Sequence, residues 1–217
     1  MKKVGLILCR AGSKGLPGKN KLLLRGKHVF AYQVKNLKDA GISEVYVSTN
    51  DKDIKNMSKL YDFHVIDRPE ELCKDTSKCE EAIKHFTDII EYDVLVFAQA
   101  TSPMCPPKYI AKGLEIIDNN KADSVVSVVE DHWLPRWDKQ MNPVDWDPAR
   151  RPRRQDRESF YMENGAFYIT KRENFIKSGI RYSGRILPIV MPIYDSMQID
   201  TKEELEMISR IIKDDNS

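Results

Sequence analysis

Short apolar runs alternate along this chain with stretches whose apolar residues return every three or four positions. Residues 4–8 (Val-Gly-Leu-Ile-Leu) form the first run, and 44–48, 63–66, 94–98 and 124–129 repeat it. Each has the length and continuity of a strand buried on both faces. Between them, 29–40, 51–61, 78–91 and 107–119 carry helical spacing. In 78–91, Ala82, Ile83, Phe86, Ile89 and Ile90 fall on one face. Gly41 stops the first of these helices and Pro107 starts the last. A strand at 160–170, a helix at 171–178, a strand at 186–191 and a helix from Thr201 to about residue 213 complete the chain. Thr201-Lys202-Glu203-Glu204 has capping-box form. This alternation predicts an α/β fold of three layers, a mainly parallel twisted sheet flanked by helices. Ligands of such sheets sit beyond the carboxyl ends of the strands. Here those ends are Cys9-Arg10, residues 48–51, residues 99–101 and the stretch after Val129.

The alternation breaks at residues 130–157. All three tryptophans, Trp133, Trp137 and Trp146, lie there, and Arg150, Arg151, Arg153, Arg154 and Arg157 close the segment. It is too long and too polar for an ordinary connection. The chain of 217 residues therefore reads as one domain, 1–217, with an excursion at about 130–157. The excursion suits either a homodimer interface, where aromatic and arginine residues are enriched, or a lid over the chain's own site.

Composition narrows the function classes. A net charge of +2 provides no global field for nucleic acid, and no RNA-binding motif accompanies the arginine run. The apolar run after Met1-Lys2-Lys3 is far too short for a signal peptide or a membrane span. Cys9, Cys73, Cys79 and Cys105 show neither C-x-x-C nor zinc spacing, so free thiols in a cytoplasmic protein are expected.

The loop after the first strand carries the chemistry. Residues 9–20 hold three glycines, a proline and the cations Arg10, Lys14 and Lys19. Glycines expose backbone N–H groups, which can form an anion-binding nest. Arginine adds a planar fork and lysine a mobile point charge, so a triphosphate is the natural guest. It is not a Walker A loop, because counting from Gly12 puts Pro17 at the second glycine position and Asn20 after Lys19. Lys14 likewise breaks the dinucleotide fingerprint.

Arg10-Ala11-Gly12-Ser13-Lys14-Gly15-Leu16-Pro17-Gly18-Lys19-Asn20 resembles the signature of the acylneuraminate cytidylyltransferases, the CMP-sialic acid synthetase family. The resemblance returns in the family's order along nearly all of the chain. It is seen at Ser48-Thr49-Asn50-Asp51, at Asp67-Arg68-Pro69-Glu70-Glu71-Leu72 and at Gln99-Ala100-Thr101-Ser102-Pro103. Arg154-Gln155-Asp156, then Tyr161-Met162-Glu163-Asn164-Gly165-Ala166, and Gln198-Ile199-Asp200-Thr201 continue it. It implies a Rossmann-like nucleotide-diphospho-sugar transferase fold. The implied enzyme condenses CTP with a nonulosonic, sialic-acid-like sugar acid, releasing pyrophosphate, as in the biosynthesis of cell-surface polysaccharide. Kdo or another sugar acid, or a degenerate nucleotide-binding homologue, is the alternative.

The resemblance also assigns roles. Arg10, Lys19 and Gln99 are implied to be catalytic. Arg10, Ala11, Gly12, Ser13, Lys14, Lys19, Asn20, Asn50 and Arg68 would bind the nucleotide. Gln99, Thr101, Ser102, Gln155, Asn164 and Gly165 would bind the sugar acid, and Asp200 would hold Mg2+ or Mn2+. Simpler roles compete. Residues 49–51 are all good helix caps, Arg68 suits a surface turn, and Asn164-Gly165 makes a tight turn readily. Asp200 could merely cap the last helix. The chain also departs from the family. Met162 stands where an arginine is common, and Gln198 replaces the first carboxylate of an Asp-x-Asp pair.

Overall fold

The structure, a computed structural model, describes residues 1–12, 15–132 and 134–212, with Arg154 described by its backbone alone. A seven-stranded sheet is its centre. β1 (Lys3–Leu8) leads through a short hairpin, β2 (Leu23–Leu24) and β3 (Lys27–His28), into α1 (Val29–Asp39). β4 (Glu44–Thr49) is followed by α2 (Lys52–Asn56) and α3 (Ser58–Tyr61), then by β5 (His64–Asp67). α4 (Cys79–Ile89), β6 (Val94–Ala98), α5 (Pro107–Asp118) and β7 (Ser124–Glu130) continue the alternation. β8 (Arg136–Trp137) and β9 (Pro143–Val144) form a small hairpin in the excursion. β10 (Tyr161–Lys171), α6 (Arg172–Ser178), β11 (Ile186–Val190) and α7 (Lys202–Ile211) close the chain.

The strand order is β11-β7-β10-β6-β1-β4-β5. β5, β4, β1 and β6 run parallel, as expected. β10 is antiparallel to both β6 and β7, and β11 runs parallel to β7. Apolar runs reveal burial but not strand direction, so the reversal at β10 was not legible in them. Successive residues of each strand point to opposite faces. On one face Ile7, Val47 and Val96 meet Phe30, Val34 and Leu37 of α1 and Ile110 and Leu114 of α5. On the other, Leu6, Tyr46 and Leu95 meet Ile83 and Phe86 of α4 and Phe175 of α6. The fit of α1 on β1 is close, since a Cβ at Gly5 would lie 2.9 Å from Leu37 Cδ1.

Two helices differ from the pattern's expectation. The helix expected over 51–61 divides at Met57, whose N–H is shared between the Asp53 and Ile54 carbonyls. Ile54 is the single buried side chain of α2, and α3 has none, so little packing holds the segment to one axis. In α4, Ala82, Ile83 and Phe86 are buried as expected, but Ile89 is exposed and Thr87 is buried instead. The Thr87 hydroxyl donates to the Ile83 carbonyl and contacts the Tyr92 hydroxyl at 2.6 Å. The stripe thus turns toward a polar pair before the helix ends.

A third, smaller core brings the last helix to the site. Ile199, Ile208 and Ile212 pack with Leu24, Val29, Tyr32 and Met104. The capping box at its start forms as the sequence predicts. Thr201 Oγ1 accepts from Glu204 N at 3.2 Å, and Glu204 Oε2 accepts from Thr201 N at 2.9 Å.

Candidate active site

β1, β4 and β6 end side by side, and the loops leaving β1 and β6 meet with the approach to α4 around a cavity of about 260 Å3. Leu8, Ala82 and Phe97 give it an apolar floor. Arg10, Lys19, Arg68, Lys74 and Lys78 line it, and among the described residues no carboxylate does. Asn20, Gln99, Ala100 and Thr101 complete the polar rim. Such a cavity attracts a polyanion, and its apolar floor suits a flat ring.

The two expected triphosphate cations are both held from outside the cavity wall. Arg10 Nη1 lies 2.8 Å from Asp75 Oδ1 and donates to the Cys73 carbonyl at 3.2 Å. Lys19 Nζ donates to Asp200 Oδ1 at 2.6 Å. Arg68 is 7% exposed, with Nε donating to Ser48 Oγ at 3.1 Å and Nη2 to the Ser48 carbonyl at 2.6 Å. Burial lowers its pKa below the usual guanidinium value, yet an arginine remains charged. It is a buried cation tied to the end of β4, not a surface turn residue.

The strand-to-helix turn at 48–51 divides its labour. Asp51 caps α2, accepting from Asp53 N at 2.9 Å and from Ile54 N at 3.4 Å. Asn50 Oδ1 accepts from Ala11 N at 2.9 Å, while its Nδ2 donates to Glu70 Oε1 and Oε2 at 3.0 and 2.9 Å. Asn50 therefore braces the loop after β1 against the turn after β5. Ala11 and Gly12 are exposed in that loop. Ser13 and Lys14 lie outside the described residues.

The expected sugar-acid residues fall into three groups. Gln99 and Thr101 reach the cavity. Ser102 is completely buried and does not line it. Asn164 is committed to local structure, its Oδ1 accepting from Ala166 N at 3.1 Å and its Nδ2 donating to Ser196 Oγ at 2.8 Å. Gly165 has a φ of +67°, and a Cβ there would lie 2.5 Å from Gln198 Nε2 and 3.3 Å from Gln99 Nε2. A side chain at 165 would collide with the point where those two amides converge. Gln155 is exposed in the excursion, in the turn Arg154–Asp156.

Gln198 Nε2 donates to the Asn164 carbonyl, and Asp200 keeps its carboxylate toward Lys19. The cap of α7 is Thr201, so capping does not explain Asp200. Among the described residues no group of three or more His, Cys, Asp or Glu side chains could hold a metal. The single carboxylate of Asp200 does suit Mg2+, which takes one or two protein carboxylates and fills its octahedron with phosphate oxygens and water.

Pattern reading did not find Lys74, Ser77, Lys78 and Cys79 in the cavity wall. Two lysines flanking Asp75-Thr76 just before a helix were the available signal. The cysteines are all free. Burial pushes the Cys9 and Cys105 thiols up to about 12, which removes them from nucleophilic chemistry.

A mainly parallel sheet with a glycine-rich loop at its carboxyl edge and a cation-lined cavity beside it defines an α/β nucleotide-binding protein. The chain belongs to the cytidylyltransferase family, which it matches over residues 4–216. It is similar to N-acylneuraminate cytidylyltransferase B of Danio rerio, with 36% identity over 206 residues covering 91% of this chain and 48% of that protein. The chain thus spans about half the length of that curated relative. It is also 31% identical over 234 residues to the CMP-N,N'-diacetyllegionaminic acid synthase of Legionella pneumophila, covering 98% of this chain and 97% of that one. Among solved structures, it is similar to CMP:2-keto-3-deoxy-manno-octonic acid synthetase complexed with CTP. The TM-score is 0.71 at 17% identity, over 97% of this chain and 98% of that one, a likeness of fold.

Proposed function

We propose that the chain condenses CTP with a nonulosonic acid, a sialic- or legionaminic-type sugar acid, to give the CMP-sugar and pyrophosphate. The observation that carries this reading is the cavity lined by five cations and, among the described residues, by no carboxylate, in a chain of this family. In nucleotidyl transfer a hydroxyl attacks the α-phosphorus and pyrophosphate leaves, so the protein chiefly positions groups and neutralises charge. Arg10, Lys19, Lys74 and Lys78 would neutralise the triphosphate. Arg68 would lie beside the base, and Asn20 and the backbone of residues 11 and 12 would cradle the phosphates. Gln99, with donor and acceptor on one amide, would orient the sugar acid together with Thr101.

Asp200 would hold Mg2+ or Mn2+ with the phosphates and water. Such an ion supplies charge neutralisation at the phosphates.

The excursion would join two copies. Leu134, Trp137, Met141 and Val144 are exposed along it, and Phe160, Tyr161, Met162 and Ile193 extend the face beside it. Exposed apolar residues gathered on one face mark interaction sites. Within the excursion, Trp137 and Trp146 pack edge to face at 5.0 Å, and Trp146 Nε1 donates to the Arg136 carbonyl. The hairpin thus holds its own shape before any partner arrives. Four free cysteines suit a reducing compartment, and among the described residues no helix is long and apolar enough to cross a membrane. Both fit a cytoplasmic enzyme.

The test is pyrophosphate release across a matrix of CTP, UTP, GTP and ATP against N-acetylneuraminic, legionaminic, pseudaminic and Kdo acids. CTP with a nine-carbon acid should turn over fastest. Faster turnover with another nucleotide across every acid would refute the reading.

A further inference from the structure

Helix α1 contains a side chain that the reaction does not explain. Gln33 is 0% exposed, in a helix that buries seven of its eleven residues and presents mainly apolar ones to the core. An amide buried in such a place costs more than an apolar side chain would, unless its hydrogen bonds do something. Gln33 Nε2 donates to the Ser102 carbonyl. One turn on, Asn36 Nδ2 donates to the Cys105 carbonyl at 2.7 Å. Two amides on one face of α1 therefore grip the same loop at two points.

That loop is the one that carries Gln99 and Thr101. It is built from two successive turns, Ser102 N to the Gln99 carbonyl at 3.1 Å and Cys105 N to the Ser102 carbonyl at 3.2 Å. The Ser102 carbonyl is the hinge between them, and it is the atom that Gln33 holds. The far side is fastened by Gln99 N to the Ala166 carbonyl at 3.0 Å and by Ile199 N to the Thr101 carbonyl at 2.8 Å. Gln33 Oε1 and Ser102 Oγ are both buried without a hydrogen-bond partner among the described residues. The amide is thus held at this position by one bond, to one carbonyl.

We infer that Gln33, seconded by Asn36, is a positioning residue that sets the Gln99–Thr101 turn against the sugar acid. The inference rests on the proposed role of Gln99. Neither Gln33 nor Asn36 lines the cavity, and the side-chain hydrogen bonds of both go to the 99–105 loop, so both act through that turn.

The test compares Gln33→Met, which keeps the length and apolar fit of the side chain but removes the donor, with wild type and with Gln99→Ala. Gln33→Met should lower kcat/KM for the sugar acid by about tenfold or more, as a displaced orienting group does. The CTP dissociation constant, measured by calorimetry, should stay within about twofold, because uniform nucleotide binding is untouched. In the Gln99→Ala background the substitution should have a clearly smaller further effect on sugar-acid kcat/KM, the part carried by Thr101, the non-additivity of residues acting through one another. Unchanged sugar-acid kinetics in folded Gln33→Met, additive losses in the double variant, or a parallel loss of CTP affinity would each overturn the inference. Should Gln33→Met not fold, Asn36→Ala, at a half-buried position, carries the same comparison. Absence of turnover in the wild-type enzyme with every sugar acid would instead refute the functional reading beneath it.

Discussion

Replacing Asp200 by asparagine separates a metal role from a structural one. The carboxylate has one strong contact, Lys19 Nζ at 2.6 Å, with the two side chains 57% and 21% exposed. An ion pair so open to water contributes about 0.2–1 kcal/mol. Its loss should lower Tm by no more than about 2–4 °C in a chain of this size. The cap of α7 is untouched, since Thr201 and Glu204 form it. If Asp200 holds the divalent ion that neutralises the reacting phosphates, its charge matters far more to the barrier. Removing one preorganised stabilising group costs about 2.7–4 kcal/mol, or roughly 100- to 1,000-fold in kcat. The expected result is near-normal melting with turnover collapsed at all Mg2+ concentrations, read by pyrophosphate release across a Mg2+ titration. Wild-type turnover and half-saturation in Asp200→Asn, or a stability loss well beyond 1 kcal/mol, would refute the reasoning. Gln198→Asp supplies the counterpart. It should lower the Mg2+ needed for half-maximal rate, and it should also destabilise by about 1–3 kcal/mol, because the Asn164 carbonyl loses its donor.

Other expectations follow from the same geometry. Arg10→Ala and Lys19→Ala should each lose most of kcat/KM with circular dichroism unchanged, since each removes a cation from the cavity wall; near-normal turnover in either would remove it from the site. Light scattering at micromolar concentration should give twice the 25.1 kDa of one chain, and Leu134→Asp with Met141→Glu should return the mass to a single chain. A single-chain mass for the wild type would favour the lid. Asp123 is held below its ordinary carboxyl pKa first by the Arg185 backbone N–H and then by the Lys171 ammonium. A depressed pKa stabilises above the unfolded value, near 3.9, and that stability is lost as pH falls through the folded value. The stability gap between wild type and Asp123→Asn should therefore be constant above about pH 5 and close below about pH 4. A gap that widens on acidification would contradict this.

Much of the site was legible because local patterns carry local information. The apolar runs located the strands, so the loops at their carboxyl ends were known before any coordinate. Asp51 as a cap and Thr201-Glu204 as a box depend on residues two or three apart, within reach of sequence reasoning. What escaped it are relations between distant positions. Lys19 and Asp200 are 181 residues apart, and no spacing rule pairs them. The grip of Gln33 on Ser102 spans 69 residues, and in a sequence Gln33 is one more polar residue in a helix. Strand direction was silent as well, because the buried run 166–169 of β10 is apolar whichever way it runs.

The pairing of Arg10 with Asp75 and of Lys19 with Asp200 bears on how such a site would empty. At Arg10 and Lys19 a ligand entering the cavity does not meet bare cations; it exchanges places with two carboxylates already there. The same carboxylates stand ready when pyrophosphate has formed, and they compete with it for both cations. Weakening incoming nucleotide and outgoing product alike leaves untouched whatever is gained only at the transition state. A cavity this positive would otherwise tend to become a sink for pyrophosphate, and its built-in rivals would keep it a turnstile.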